Sequence, residues 1–566
     1  MNCCPVTLVL LLLVIGNVIA AEKKPHIIYI LCDDVGWNDV SYHGNDQIPT
    51  PNIDALAYSG VILHKHYVQP ICTPSRAALM TGKYPSNIGI QGVPIGGAQP
   101  KALPLDIKIL PQYLKELGYR TSLVGKWHLG FYKKEYTPLE RGFDSFFGYY
   151  NGLIDYYNHI YDDPIPTFTE TCRGTKRGIN WNFNGEHLYG LDLHRNETPV
   201  WDMAGKYATD MFTDEAVNQI ENHDTNTPLF LYLAHLACHA GNWGQNLQAP
   251  NELVNSKFNY IIDPNRRVYA AMMSKLDESV GRVVAALKKK DMLQNSIIVF
   301  LSDNGAPTIL SSQWQTPGSN YPLRGVKVTQ WEGAVRTPAI LWSPLLKHNS
   351  HISHQLMHIT DWFPTLLSAA GLDSKQLSAM KVDGVDQWKS LIYNTASVRN
   401  KMPVELDELR NIYAVRRGNW KLVQGNSLLG FYDGYSGDNG ENTTSPVYNV
   451  KGIMESDAGR AINPLRAMPN EKALLSVRQQ VTIKCPPQNN PTPCDTFTND
   501  RPCIFNIAED PCERNDLSLQ RPDILNRMKE LLEEYRESLV PDSYPPYIPA
   551  QANPRKFNNT WEPWMA

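Results

Sequence analysis

The chain has 566 residues, a formal net charge of −4 at pH 7, 42% hydrophobic and 19% charged residues. That length is enough for a large core and a few domains, and the composition is that of a folded globular protein rather than a disordered one. The small net charge and the lack of any basic stripe or long basic run exclude nucleic acid as an expected partner.

Residues 1–21 read as a secretory signal. Val6 to Ile15 is an apolar run too short to span a bilayer, small residues follow at Ala20 and Ala21, and Glu22-Lys23-Lys24 ends the run. No later segment is long and apolar enough for a membrane span, so the expected localisation is the secretory pathway, secreted or lysosomal.

His26 to Leu31 is an apolar run of strand length that stops at Cys32-Asp33-Asp34-Val35-Gly36, as in a parallel sheet buried on both faces. A helix is predicted from Thr50-Pro51 to Gly60. Cys72-Thr73-Pro74-Ser75-Arg76 followed by an alanine-rich run reads as another helix start. Leu105 to Leu117 reads as a helix, Thr121 to Val124 as a strand ending in Gly125-Lys126-Trp127-His128, and Leu229 to Ala234 as a buried strand running towards His239. Arg267 to Lys290 is helical in pattern, and Ser296 to Leu301 is a strand that enters Ser302-Asp303-Asn304-Gly305. Alternating strands and helices predict an α/β fold with a large, mostly parallel sheet flanked by helices over residues 22–400. Residues 401–566 are expected to form a smaller α+β domain with an antiparallel sheet and a disulfide-rich insertion. There Ile412 to Val423 reads as a hairpin, Asp523 to Leu539 as a closing amphipathic helix, and Asp433 to Asn463 as a surface excursion.

Cys485, Cys494, Cys503 and Cys512 cluster as disulfides of an exported protein would; three pairings are possible, with Cys503–Cys512 a plausible local closure. Among Cys32, Cys172 and Cys238 at least one buried free thiol is expected. Asn196, Asn442 and Asn558 are glycosylation candidates, the first disfavoured by Pro199.

The chemistry-bearing residues fall just past the carboxyl ends of the strands, where open α/β sheets bind ligands. Asp33, Asp34, Asp303 and Asn304 all offer oxygen, which suits calcium or magnesium, and an amide among carboxylates mildly favours calcium. For any one of them a turn cap is the commoner role; their joint occurrence with Cys72 carries the signal. Arg76 lies one helical turn after Cys72 on the same face. Lys126 and His128 point the same way if their segment is extended, and Lys327 and His239 add further donors. A helix N-terminus at Cys72 completes a site fit for a tetrahedral anion.

The Cys-x-Pro-x-Arg stretch resembles the maturation signature of the sulfatases. The chain is similar to type I sulfatases of the arylsulfatase B group, within the alkaline phosphatase superfamily. The likeness runs through DDVGWND, TPNIDALA, CTPSRAALMTGKYP, GYRTSLVGKWHLG, RGFDSFFGY, PLFLYLA, SDNGA, PLRGVK, WEGAVR, HITDWFPTLL, DGVDQW, GNWKLV, EDPCERNDLS and WEPWM. The resemblance implies that Cys72 is oxidised to formylglycine by a formylglycine-generating enzyme and that the aldehyde hydrate attacks sulfate esters. It implies one calcium ion on Asp33, Asp34, Asp303, Asn304 and the modified Cys72, with Arg76 steadying the hydrate. Lys126 and Lys327 would bind sulfate oxygens, His128 would contact the hydrate's second hydroxyl, and His239 would bind sulfate and protonate the leaving group. Two departures stand out: His239-Ala240-Gly241 where His-x-Pro is common, expected to loosen a substrate-facing loop, and Gly333-Ala334-Val335-Arg336 where Gly-Gly-x-Arg is usual. Implied substrates are sulfated amino sugars of glycosaminoglycans or a small sulfated metabolite such as a glucosinolate. The alternatives are a phosphohydrolase of the same superfamily and an inactive sulfatase-like binder of sulfated ligands.

Overall fold

The computed structural model describes residues 23–165, 186–242, 244–308, 316–348, 350–425, 427, 430, 433–441, 444–487 and 501–566. At its centre the strand His26–Cys32 pairs in parallel with Leu229–Ala234 on one side and Ser296–Ser302 on the other. Arg120–Lys126 and then Ser145–Tyr149 extend the parallel run. Shorter strands, several of them antiparallel, finish both edges of a 10-stranded sheet. The central strands are apolar without alternation because both their faces are covered: every residue of His26–Cys32, Leu229–Ala234 and Ser296–Ser302 is buried. Two groups of helices flank the sheet. Pro264–Lys289 lies against Ala208–Glu221, Pro51–Ser59 and Asp457–Ile462, whereas Cys72–Thr81, Leu110–Glu116 and Trp362–Ala369 pack together.

A second, antiparallel sheet runs in the order Lys401–Asp407, Ile412–Arg417, Trp420–Gln424, Cys503–Asn506. Its strands alternate as a two-residue period requires. Leu406, Val415, Leu422 and Ile504 meet the helix Pro522–Arg536, while Val404, Ala414, Val423 and Phe505 meet Tyr67, Trp331, Ala334 and Val335 of the large body. The end of the chain then returns to the large body. Leu191 exchanges backbone bonds with Asn559 and Trp561, and the indoles of Trp561 and Trp564 donate to the carbonyls of Tyr161 and Gly97.

Several expectations change. The helix predicted from Leu105 begins at Leu110, because Pro111 fits only its first turn and Gln112 caps back onto the Ile109 N–H. The stretch expected as a surface excursion instead sends Val450–Met454 and Asp457–Ile462 into the main core. Ala458 and Ala461 are small enough for close packing there, and Asn52 Oδ1 accepts the Ala458 N–H. Cys512 is bonded to Cys485 rather than Cys503, which is itself disulfide-bonded. Cys503 sits in a strand with its side chain in the core beneath the small sheet. Cys32 and Cys238 are buried free thiols. Asn196 and Asn558 are exposed in left-handed turns, at φ 56° and 55°. The signal at 1–21, Cys172, Cys494 and Asn442 lie outside the described residues. Among the described residues no helix is long and apolar enough to cross a membrane.

Candidate active site

Neighbouring parallel strands end at one edge of the sheet and deliver their last side chains to one place. Asp33 and Asp34 follow His26–Cys32, Asp303 and Asn304 follow Ser296–Ser302, Lys126 is the last residue of its strand, and His239 comes shortly after Leu229–Ala234. The turns are tied to one another by backbone bonds from Asp33 N–H to Ala237 (3.0 Å), Asp303 N–H to Cys32 (3.1 Å) and Cys238 N–H to Asp33 (2.6 Å). Ser302 Oγ accepts the Val35 N–H at 2.9 Å and donates to the Asn304 carbonyl at 2.8 Å. Asp34 turns the chain in the left-handed region, φ 61°.

The charges interlock. Arg76 Nε and Nη2 donate to Asp303 Oδ2 at 3.0 and 2.8 Å, and Nη2 lies 3.7 Å from Asp33 Oδ2. Lys126 Nζ bonds Asp33 Oδ2 at 2.6 Å, and Lys327 Nζ reaches both Asp34 oxygens at 2.7 and 2.9 Å. Asn304 Nδ2 donates to Asp34 Oδ1 at 2.6 Å. After these bonds three buried oxygens have no hydrogen-bond partner: Asp33 Oδ1, Asp303 Oδ1 and Asn304 Oδ1. Orphaned oxygens in a dry site are costly unless something electropositive meets them. Asp33, Asp34 and Asp303 each place an oxygen within 4.8 Å of the others, and Asp33, Cys72 and His239 form an overlapping group. The donor set therefore fits a hard cation such as calcium.

Cys72 opens the helix Cys72–Thr81 and is 3% exposed, unpaired with any other cysteine. Burial pushes its thiol up against the opposing pull of Lys126 and Lys327, so the sulfur is held as thiol, a poor nucleophile. Burial likewise raises Asp303, with Asp33 adding to the effect. Asp33 is also pushed up by burial, but Lys126 and His239 outweigh this and hold it below the usual carboxylate range.

In each histidine a backbone carbonyl fixes one ring nitrogen as a donor. His239 Nδ1 donates to the Ala240 carbonyl at 2.8 Å, which leaves Nε2 facing Asp34 Oδ2 at 3.6 Å. His128 Nε2 donates to the Ile95 carbonyl at 3.1 Å, and its Nδ1 is buried without a partner. Burial, with Lys126 and Arg76 adding, keeps His128 well below its ordinary value and hence neutral. His128 does not continue an extended segment with Lys126, for it bends at φ 55° while its N–H bonds the Tyr150 carbonyl.

Other residues hold the site, and sequence reasoning missed them. Thr73 Oγ1 donates to the His128 carbonyl and accepts the Ile95 N–H, so it clamps both ends of the His128 contact. Asn320 binds Ala306 through both amide atoms and donates to the Gly325 carbonyl, while Lys327 N–H bonds Ala306. It thereby locks the Asp303 turn to the Lys327 loop. A Cβ on Gly305 would overlap the Gly333 carbonyl. In the sequence the only trace of that contact is a single glycine in each stretch, Gly305 and Gly333.

The family model described as Sulfatase matches residues 25–372. Arylsulfatase J of Mus musculus is 37% identical over 552 residues, covering 96% of this chain and 81% of its own. N-acetylgalactosamine-6-sulfatase of Mus musculus is 29% identical over 555 residues, covering 94% and 90%. Among solved structures, Ps i-CgsB in complex with k-i-k-neocarrahexaose has a TM-score of 0.67 at 26% identity, over 94% of this chain and 97% of that one.

Proposed function

This chain belongs to the sulfatase family and is a sulfuric ester hydrolase; on that premise we propose that it acts through Cys72 converted to formylglycine and one calcium ion. The observation that carries this reading is the meeting of three orphaned buried oxygens with a buried Cys72 among Arg76, Lys126 and Lys327. Calcium on Asp33, Asp34, Asp303, Asn304 and the modified Cys72 would neutralise charge on the sulfuryl oxygens, and formylglycine would supply the attacking oxygen. Lys126 and Lys327 bind the sulfate oxygens in a water-poor site, where fixed cations act strongly. Arg76 keeps Asp303 and Asp33 in place. His239, with Nδ1–H tied to Ala240, would act as an imidazolium whose second proton, on Nε2 beside Asp34 Oδ2 at 3.6 Å, passes to the departing alcohol oxygen and leaves the neutral ring, a role worth roughly 10²–10⁴-fold. His128, neutral and bare at Nδ1, takes the proton whose removal lets sulfate leave.

The substrate class we favour is a sulfated sugar, supported by relatives whose names specify N-acetylgalactosamine-6-sulfatase activity and a bound neocarrahexaose. A second reading, a small sulfated metabolite such as a glucosinolate, is supported by the altered segment after His239. Maturation would require a formylglycine-generating enzyme in the secretory pathway.

Mass spectrometry of the peptide containing Cys72 tests the central step. Sulfur replaced by oxygen with loss of two hydrogens is expected, and a wholly unmodified thiol in active protein overturns the reading. Turnover of an aryl sulfate should greatly exceed that of the matching aryl phosphate; sulfate ester binding without release would instead mark an inactive binder. A panel of a sulfated amino sugar, a glucosinolate and an aryl sulfate separates the substrate readings by kcat/KM.

A further inference from the structure

The segment after His239 lacks the proline that would stiffen it, yet it is strapped down at both ends. The side chain of Asn242 lies along the strand Ile160–Pro164: its Oδ1 accepts the Asp162 N–H at 3.1 Å and its Nδ2 donates to the Ile160 carbonyl at 2.8 Å. Those two backbone groups share one edge of a strand, and a primary amide offers one acceptor and one donor to match them. At the other end, Gln248 Nε2 donates to Asp155 Oδ2 at 2.7 Å and to the Gln245 carbonyl at 2.9 Å, and Gln248 Oε1 accepts the Tyr156 N–H at 3.2 Å. Tyr156 closes the loop by donating its hydroxyl to the His239 carbonyl at 2.9 Å. Between the Tyr156–His239 bond and the Asn242 clamp lies Ala240, whose carbonyl receives His239 Nδ1. The direction in which His239 Nε2 points is thus set by a carbonyl two residues before Asn242.

We propose that Asn242 is a positioning residue for His239: by clamping the segment to Ile160 and Asp162 it fixes the Ala240 carbonyl and so aims Nε2 at the leaving-group oxygen. The inference rests on the reading of His239 as proton donor. It replaces the expected loose loop with a held one, in which an amide does what a ring would otherwise do.

The test is leaving-group dependence. A donor that is well aimed matters most for esters of poorly acidic alcohols and little for esters of acidic phenols. In Asn242→Ala, kcat on an alkyl or sugar sulfate should fall about 10–100-fold while kcat on a dinitrophenyl sulfate changes less than about 3-fold. KM should hold within about 3-fold on both. His239→Ala, run in parallel, should show the same pattern more strongly. If His239→Ala loses both substrates equally, the reading of His239 as donor fails. If His239→Ala discriminates and Asn242→Ala loses both equally, or neither, the proposal about Asn242 fails. Asn242→Asp keeps the acceptor but sets an anion against the Ile160 carbonyl, and should discriminate like the alanine variant; it serves in its place if that variant does not fold.

Discussion

At the residue scale, Arg76 shows why a buried cation can be structural and functional at once. Both its bonds to Asp303 run through one oxygen, Oδ2, which leaves Oδ1 bare for a cation. Arg76→Ala would strand the Asp303 carboxylate in a dry interior, whereas Asp33 keeps Lys126, and breaking such a pair costs about 3–5 kcal/mol. Chemical denaturation should show that loss, and activity should vanish with it; a variant of wild-type stability would refute the account. Cys72→Ala and Cys72→Ser should instead keep wild-type stability within about 1 kcal/mol and lose turnover by on the order of 10³-fold or more. Steady-state kinetics with an aryl sulfate checks this, and normal turnover in Cys72→Ala contradicts the proposed route. The acids were legible in the sequence because polar residues that abruptly end apolar strands have few places to go. Thr73, Asn320 and Asn242 were not, since each is an ordinary polar residue whose partner lies far along the chain or in another loop.

At the element scale, the strands were legible almost to their ends because burial on both faces forces continuous apolar runs. Helix starts were less so, as the shift from Leu105 to Leu110 shows: the pattern persisted, but Pro111 chose the start. The strand Lys401–Asp407 carries a cost that no pattern reveals. Glu405 is buried, 3.5 Å from Arg410, whose Nε is committed to Asp407, and burial pushes Glu405 up to about 8 from 4.5. A carboxyl raised in the folded state contributes stability that is full below its unfolded value and lost as pH climbs to the folded one. Between pH 4.5 and about 8, wild-type Tm should fall more steeply than that of Glu405→Gln. Parallel Tm profiles for the two proteins would rule this out.

At the scale of the whole molecule, the two sheets are joined by buried charge as well as by apolar packing. Lys421 of the small sheet bonds Glu332 at 3.1 Å and Glu513 at 2.8 Å, and Tyr67 of the large body donates to Glu332 at 2.6 Å. Such a cluster reads in the sequence as scattered charges, since nothing local marks them as neighbours. The small body is further bound by Cys485–Cys512, separated by 27 residues. Closing a loop of that size stabilises by about 3–4 kcal/mol on the chain-entropy account. Replacing both cysteines by serine should lower Tm by several degrees while kcat at 25 °C stays within about 2-fold, because the site lies in the other body. An unchanged Tm would show that the bridge contributes nothing.

Trp561 and Trp564 stand at the opposite end of the sequence from Cys72, yet they seal the wall beside Gly97, two residues from the Ile95 carbonyl that holds His128. The surroundings of His128 are thus completed by residues from far along the chain. In the folded chain only 3% of Cys72 is left exposed. The proposed conversion of Cys72 would therefore have to precede closure of the fold around it, for the finished fold offers a second enzyme almost none of its surface.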